Sequence, residues 1–481
     1  MRMRSRLPAA VICACIALAG ASLALPADPV YDAWAWLVWG RELSGAGLDL
    51  NLGPAWKPLA VAITAALALA GDAAPQLWLL LVRVAWLLTL VLAARLAYVL
   101  TAGHAQRERI AAAAFGALSL LLALDPDTAW LRQGAEGMSE PLLVTLVMGA
   151  VHAGVDGRVR LALVLGGLAG LLRPEIWPLL VVYGVWSWRR ERGSRPLLAV
   201  LALAIPALWF GPELLAAGNA LGGAQRAQRG DDGSLQAVLD VAQRALELPL
   251  LAAWPLALLA AADRRARVLL AGALGWIAVV ALLAAAGDFA GLARFMLPAA
   301  AIVGVLGAVG LARLLALARG HGQRPALAAL AAVALAALLA ALALQLPPRL
   351  AQLRESAQLT ARIGHSHERL RALVRGVGND ALLRCGALAT SDVSVRTALA
   401  WELGVPLADV VSFGRLPHQS GGFVIGPQAP SALRLGVARR AVLLGRRGEW
   451  LAYSLDCPAS AASRSSSSGR PRTAGVSGAR R

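Results

Sequence analysis

Residues 326–346 read ALAALAAVALAALLAALALQL, an apolar stretch without a single charged side chain. A helix needs roughly 20 such residues to cross the hydrocarbon core of a bilayer. Long apolar blocks also occupy residues 76–100 and 296–318, and 58% of the 481 residues are hydrophobic while only 15% are charged. Soluble domains carry about 25% charged residues. The sequence therefore predicts a polytopic membrane protein and excludes a soluble one.

Eleven apolar segments account for this pattern, and we expect each of them to be a transmembrane helix of an all-α membrane domain over residues 1–346. The first segment follows the basic N-terminus MRMRSR and is longer than the 7–15 apolar residues of a cleaved signal peptide, so we expect it to be retained. The segments lie near residues 7–25, 76–100, 110–125, 139–154, 160–172, 176–188, 197–216, 248–262, 267–286, 296–318 and 325–346.

The net charge of +18 first suggests nucleic acid as a partner. The basic residues, however, occur in short clusters between apolar blocks and form no aromatic-studded basic face. Arginines that flank membrane spans are the usual determinant of orientation. The charge pattern therefore indicates membrane lipid rather than nucleic acid as the surroundings of these residues.

The orientation depends on whether residues 58–71 cross the membrane, and 14 residues are few for a crossing. If they lie on the outer surface instead, the predicted inner segments hold 17 Arg in 45 residues and the outer ones 8 Arg or Lys in 87. This is the bias expected of a cytoplasmic side. We therefore predict a multi-pass protein of the cytoplasmic membrane with a cytoplasmic N-terminus and surface helices in the first outer loop, residues 27–75.

The composition changes after residue 346. Residues 347–458 are predicted to form a small extracytoplasmic α/β domain, and the Ser-rich, Arg-rich residues 459–481 a disordered tail. Ser391 or Asp392 is expected to begin a helix that runs towards Gly404, and a hairpin is expected around residues 446–448. Cys385 and Cys457 bracket this domain, and an oxidising compartment favours a disulfide between them.

The first outer loop holds the most informative charged residues. Asp28 and Asp32 are four residues apart, and three tryptophans follow within seven residues. This pattern is typical of an amphipathic helix at the membrane–water boundary, where tryptophan is common, but two outer-side carboxylates also suit catalysis. Further along, Lys57 is the one lysine among 46 basic Lys and Arg residues.

This loop resembles the first outer loop of the glycosyltransferase C superfamily, membrane enzymes that include the lipid A aminoarabinose transferases and the protein O-mannosyltransferases. The matching elements are the acidic residues Asp28 and Asp32, then Trp39-Gly40-Arg41, and finally Lys57-Pro58-Leu59 in place of Lys-Pro-Pro-Leu. The family has an adjacent acidic pair where this sequence has Asp28-Pro29, so Asp28 and Asp32 both stay candidates for the catalytic acid.

Three further short motifs in the membrane half resemble the family's motifs at matching topological positions. They are Arg132 with Ser139-Glu140-Pro141-Leu142, then Leu172-Arg173-Pro174-Glu175, and then Arg294-Phe295-Met296-Leu297-Pro298. The resemblance covers residues 1–346. It implies that a hexosyl or pentosyl group is taken from a polyprenyl-phosphate donor and passed to a glycan, lipid or protein acceptor of the envelope.

The resemblance and the chemistry imply the same roles. Sugar transfer from a phosphate carrier needs a base for the acceptor hydroxyl and positive charge for the leaving phosphate. We expect Asp32 or Asp28 to be the base. The residues expected to contact phosphate or substrate are Lys57, Arg294, Arg132, Arg173 and Glu140.

The sequence requires no cofactor and predicts no set of metal ligands; the resemblance leaves a divalent metal open, because some members of the family use one. Arg173 and Glu175 also suit a purely structural ion pair. The competing hypothesis is a non-enzymatic protein, either a transporter of lipid-linked glycans or a membrane scaffold with a sensor domain. Transporters usually show paired half-repeats and broken helices, and neither is evident here.

Overall fold

The computed structural model describes residues 9–45, 47–125, 128–227, 235–287, 291–319, 325–383, 387–413, 422–427 and 441–455. Its helices in the first part of the chain are α1 (Ala9–Ser22), α2 (Tyr31–Leu43), α3 (Pro58–Ala68), α4 (Ala74–Leu100), α5 (Gln106–Leu121), α6 (Trp130–Ala135), α7 (Glu140–Val155), α8 (Val159–Gly170) and α9 (Trp177–Arg190). A two-stranded antiparallel ribbon, β1 (Leu124–Asp125) and β2 (Thr128–Ala129), precedes α6.

The helices that follow are α10 (Arg195–Ala217), α11 (Gly222–Ala227), α12 (Leu235–Glu247), α13 (Ala253–Ala260), α14 (Arg264–Ala285), α15 (Leu297–Ala318), α16 (Pro325–Val377), α17 (Asn379–Leu383) and α18 (Arg396–Glu402). The later strands are β3 (Ala387–Thr390), β4 (Val410–Ser412), β5 (Gly422–Gly426), β6 (Ala441–Arg447) and β7 (Trp450–Leu455). The predicted fold class, helical membrane protein with a small α/β domain, is confirmed.

Five helical segments of the described chain are long and apolar enough to cross a membrane. They are Gly71–Leu100, Arg192–Ala217, Arg264–Ala285, Ala293–Ala318 and Pro325–Val377. Each of the other predicted spans also contains a helix, but α13 has only eight residues where the sequence predicted 248–262. The total of eleven spans stays a prediction. With 11 residues α3 rises about 16 Å, roughly half the hydrocarbon core, as expected for a helix that does not cross.

The centre of the helical part is α15, which is buried along most of its length. It packs against α5 and α13. A Cβ atom at Gly304 would lie 2.8 Å from the Ser119 hydroxyl oxygen, and one at Gly307 would lie 3.0 Å from Ala253. Small residues let membrane helices approach this closely. Tight packing therefore fixes the position of α15, and Arg294 lies in the 3₁₀ turn Ala293–Met296 that immediately precedes it.

The chain divides into two compact units between His365 and Ser366, inside α16. The predicted change at residue 347 corresponds instead to the end of the apolar part of that helix. The domain boundaries at 346 and 458 stay predictions, and the predicted tail, residues 459–481, lies outside the described residues.

The second unit contains a five-stranded sheet of order β4-β3-β5-β7-β6. The strand pairs β3–β4 and β3–β5 are parallel, while β5–β7 and β6–β7 are antiparallel. Asp392 accepts the Ser394 N–H at the turn that leads into α18, and β6 and β7 form the hairpin around Gly448, which has a φ of 56°. Both local predictions are confirmed.

Candidate functional site

Proline places two of the predicted cations at the starts of helical turns. Lys57 precedes Pro58, the first residue of α3, and has φ −133° and ψ 99°. Arg173 precedes Pro174, the first residue of a 3₁₀ turn, and has φ −148° and ψ 126°. Proline disfavours the helical conformation of the residue before it but fits the first turn of a helix. The Lys-Pro and Arg-Pro pairs therefore determine the local backbone at both cations.

Helix α2 carries Asp32 in its first turn and packs directly on α3. A Cβ atom at Gly40 would lie 2.6 Å from the backbone nitrogen of Ala65, so the Trp-Gly-Arg element needs a glycine at this crossing. The Thr64 hydroxyl donates a hydrogen bond of 2.6 Å to the Trp36 carbonyl across the same contact. The two helices of the first outer loop therefore form one packed pair.

The tryptophans of α2 differ from the expectation for a helix at the membrane boundary. Trp34, Trp36 and Trp39 are all buried within the protein. Trp36 packs edge to face on Trp78, and Trp39 packs against Trp56. The expected position at the membrane boundary is therefore wrong for these three side chains. Buried aromatic side chains stabilise a protein core because each removes a large apolar area from solvent. Helix α2 is thus an interior element.

Lys57 is buried, and its ammonium donates a hydrogen bond of 2.6 Å to the hydroxyl of Ser139. The same nitrogen lies 4.7 Å from the centre of the Trp36 ring, within the range of a cation–π interaction. Burial, together with the nearby charge of Arg173, lowers the pKa of Lys57 from 10.5 to about 8, while Glu140 and Asp32 oppose the shift. Lys57 is thus a desolvated cation at the centre of a group of charges.

Arg173 is buried between two carboxylates. Its guanidinium pairs with Glu140 in a short contact and with Glu175 at 3.2 Å. The guanidinium carbon also lies 4.0 Å from the centre of the Phe295 ring. A buried cation with two carboxylate partners is well compensated. The predicted Arg173–Glu175 pair is confirmed, and Glu140 joins it.

Asp32 and Arg294 form the more open side of this group. The Asp32 carboxylate lies 3.8 Å from the Arg294 guanidinium, and the two side chains are 22% and 25% exposed. The Nε of Arg294 is buried and has no hydrogen-bond partner. We call Asp32, Lys57, Glu140, Arg173 and Arg294 the charged cluster. It unites five of the seven predicted catalytic and substrate-binding residues, although 262 positions separate the first from the last.

Asp28 lies in a different environment from Asp32. It is only 5% exposed, and its carboxylate accepts a hydrogen bond of 3.2 Å from the Trp34 indole N–H. This hydrogen bond connects Asp28 to the first turn of α2. Of the two carboxylates that the sequence left open, Asp32 is the more exposed, and it lies 3.8 Å from the Arg294 guanidinium.

Arg132 and Arg83 have partners outside the charged cluster. Arg132 pairs with Glu136 at 2.6 Å. Arg83, in α4, donates hydrogen bonds to the carbonyls of Ser22 and Ala135. Arg83 therefore links α4 to the ends of α1 and α6, while the Arg132–Glu136 pair lies within α6 and its C-cap.

Ser139 and Trp36 are the site residues that reasoning from the sequence did not select. Ser139 belongs to the Ser-Glu-Pro-Leu motif, and its place in that motif could have identified it as a site residue. For Trp36 the sequence pattern favours a position at the membrane boundary. Within the described ranges, no group of three or more His, Cys, Asp or Glu side chains is arranged to hold a metal ion. Cys385 and Cys457 lie outside those ranges, so the disulfide stays a prediction.

The solved structures of similar fold include two of one protein. ArnT from Cupriavidus metallidurans bound to undecaprenyl phosphate superposes with a TM-score of 0.54 at 14% identity. The apo state of the same protein superposes with a TM-score of 0.56 at 16% identity. Each match covers 93% of this chain and 97% of ArnT. No protein-family model and no curated protein sequence matches the chain.

Proposed function

We propose that this chain, which has the fold of a glycosyltransferase C membrane enzyme, transfers a sugar from a polyprenyl-phosphate donor to a hydroxyl group of an envelope acceptor. The observation that carries the proposal is the accessible carboxylate of Asp32 beside Arg294 and near the buried ammonium of Lys57. Such a transfer needs a base at the acceptor hydroxyl and positive charge at the departing phosphate. The charged cluster contains both.

The proposed reaction is a single displacement. The acceptor oxygen attacks the anomeric carbon of the donor, and the bond between that carbon and the phosphate oxygen breaks. Asp32 takes the proton of the acceptor hydroxyl, and polyprenyl phosphate leaves with the electron pair of the broken bond. Lys57 and Arg294 stabilise its negative charge, which grows in the transition state.

The other predicted site residues take positioning roles in this proposal. Glu140 and Glu175 hold Arg173, and Glu140 also opposes the fall in the pKa of Lys57. Asp28 orients α2 through Trp34. Arg132 is paired with Glu136, so a contact between Arg132 and the phosphate has the least support among the four predicted cations.

The bound lipid phosphate of ArnT supports a polyprenyl-phosphate donor here, since both chains have one fold over 93% of this sequence. The positive-inside bias supports a site on the outer face of the cytoplasmic membrane. There the acceptor would be an envelope glycan, lipid or protein, and the transferred group a hexose or pentose. This single displacement does not require a divalent metal.

The proposal is tested by mass spectrometry of envelope glycans, lipids and proteins from a deletion strain. In the deletion strain we expect one acceptor to be lighter than in the parent strain by the mass of one hexose or pentose. Expression of the wild-type gene should restore the parental mass. Asp32→Asn keeps the size of the side chain and removes the base, so it should not restore the mass. Asp72→Asn changes an exposed aspartate in the turn after α3 and is the matched control.

Two outcomes would contradict the proposal. Identical envelope composition in the deletion and parent strains would remove the evidence for transfer. Full restoration by both Asp32→Asn and Asp28→Asn would favour the non-enzymatic hypotheses, a transporter of lipid-linked glycans or a scaffold, because neither needs a base in this loop.

A further inference from the structure

One face of α16 contacts the segment that delivers the catalytic carboxylate. Thr360 and Gly364 are four residues apart on this helix and therefore share a face. Thr360 is buried, and its hydroxyl donates a hydrogen bond of 3.2 Å to the carboxylate of Glu136. The same Glu136 oxygen accepts the Arg132 hydrogen bond of 2.6 Å. Helix α16 thus holds a buried carboxylate that the proposed reaction does not use.

Glu136 in turn holds the start of α2. Its backbone carbonyl accepts a hydrogen bond of 3.0 Å from the N–H of Val30. Val30 is the N-cap of α2, and its own carbonyl accepts the N–H of Trp34 at 2.9 Å. Asp32 lies between these two residues in the first turn. A shift of Glu136 would therefore move the first turn of α2 and the carboxylate on it.

Gly364 supports the other end of the same segment. A Cβ atom added at Gly364 would lie 2.9 Å from the backbone nitrogen of Ala27 and 3.1 Å from the carbonyl carbon of Pro26. These contacts are with backbone, which cannot move aside as a flexible side chain can. The segment 26–30 is therefore held at Ala27 by Gly364 and at Val30 by Glu136, and one turn of α16 provides both supports.

We propose that Thr360 and Gly364 of α16 are positioning residues, which hold the segment 26–30 so that Asp32 faces the charged cluster. The inference rests on the proposed function, in which Asp32 is the base. Proton transfer requires the base within hydrogen-bond distance of the acceptor hydroxyl, and a displacement of about 1 Å costs as much as 10²-fold in rate.

The first test does not depend on catalysis. Hydrogen exchange of the full-length protein, followed by mass spectrometry, is measured on peptides that cover residues 26–34. Thr360→Val keeps the shape of the side chain and removes the hydrogen bond, so we expect exchange there to accelerate about 10-fold, as for local opening of a destabilised segment. Thr360→Ser should restore the wild-type rate. Peptides from α15 should exchange as in the wild type.

Gly364→Ala provides a second variant with a matched control in the same helix. Alanine is the better helix former, so faster exchange at residues 26–34 would come from the clash with Ala27. Gly376→Ala also adds a methyl group to α16, but no atom lies within 4 Å of it. It should leave exchange unchanged. Wild-type exchange at residues 26–34 in both Thr360→Val and Gly364→Ala would overturn the inference, whatever the protein catalyses.

The second test measures transfer and donor binding separately. In the complemented deletion strain we expect Thr360→Val and Gly364→Ala to lower acceptor modification about 10-fold, and Thr360→Ser to restore it. Binding of undecaprenyl phosphate to the purified variants should stay within about 2-fold of the wild type, because Lys57 and Arg294 are unchanged. Faster exchange together with full transfer would overturn the catalytic part of the inference. If the wild-type protein transfers no sugar, the proposed function is wrong. The exchange data would still show whether Thr360 and Gly364 hold the segment 26–30 in place.

Discussion

The ammonium of Lys57 lies 2.6 Å from the hydroxyl oxygen of Ser139, although 82 positions separate the two residues. Ser139 immediately precedes Glu140, whose carboxylate pairs with Arg173. The start of α7 therefore holds the lysine through one side chain and the arginine through the next. Two adjacent polar residues therefore bind the charged side chains of Lys57 and Arg173, which come from two other parts of the chain.

Removing the Lys57 ammonium should weaken donor binding and slow transfer together. Hydrogen bonds to charged groups contribute about 1.5–3 kcal/mol, so Lys57→Ala should weaken binding of undecaprenyl phosphate roughly 10- to 100-fold. Lys57→Arg should recover only part of this, since a planar guanidinium does not replace a compact ammonium. Lipid-binding titration and acceptor mass spectrometry are the measurements. Arg107→Ala, an exposed arginine at the start of α5, should change neither; wild-type binding by Lys57→Ala would contradict the phosphate role.

Donor binding should depend on pH through Lys57. Its pKa is about 8, lowered mainly by burial, and only the protonated form attracts phosphate. Below pH 7 the side chain stays charged, and as the pH rises through 8 towards 10 the charged fraction falls. We expect affinity for undecaprenyl phosphate to fall over that range. Lys57→Arg, whose guanidinium stays charged throughout this range, should show a flat profile there. The same decline in both proteins would assign it to another group.

The two aspartates of the first outer loop should respond differently to neutralisation. Asp32→Asn should reduce turnover by roughly 10²-fold or more, because it removes the base. Asp28→Asn should leave a larger residual activity, since Asp28 is buried and accepts a hydrogen bond from Trp34. Thermal midpoints of both variants separate folding defects from catalytic ones. A larger loss of turnover in a stable Asp28→Asn protein would assign the base to Asp28.

The orientation is tested by accessibility tags. Tags after Gly103 and Gly193 should report the cytoplasm, and tags after Gly223 and after residue 457 should report the outer side, as the arginine distribution predicts. The measurement is labelling by a membrane-impermeant reagent in intact cells. A tag at Gly103 that is labelled from outside would make residues 58–71 a span and reverse every later segment.

A disulfide between Cys385 and Cys457 is expected if the second unit lies outside the cytoplasm. Peptide mapping of the native protein without reductant should recover the two cysteines in one linked species. Cys13 and Cys15 are free in the structure and serve as the internal reference for unpaired thiols. Recovery of Cys385 and Cys457 as free thiols would show that the prediction is wrong.

Much of the local structure could be predicted from the sequence because its causes are local. A membrane span satisfies its backbone hydrogen bonds within itself, so an apolar run such as 326–346 predicts a helix without reference to the rest of the chain. Proline at residue 58 or 174 likewise determines the conformation of its predecessor. The burial of Trp36 could not be predicted, since tryptophan in such a loop fits a membrane boundary as well as a core.

The amino-acid sequence by itself determined the class of protein, the places where helices begin, and the set of charged residues from which a site could be built. Only the tertiary structure decided how these residues are used. It made Asp28 a buried partner of Trp34 and Asp32 the accessible neighbour of Arg294, and it joined Lys57 to Ser139. The physical reason is that exposure and distance between residues far apart in the chain arise from helix packing, which no local pattern encodes.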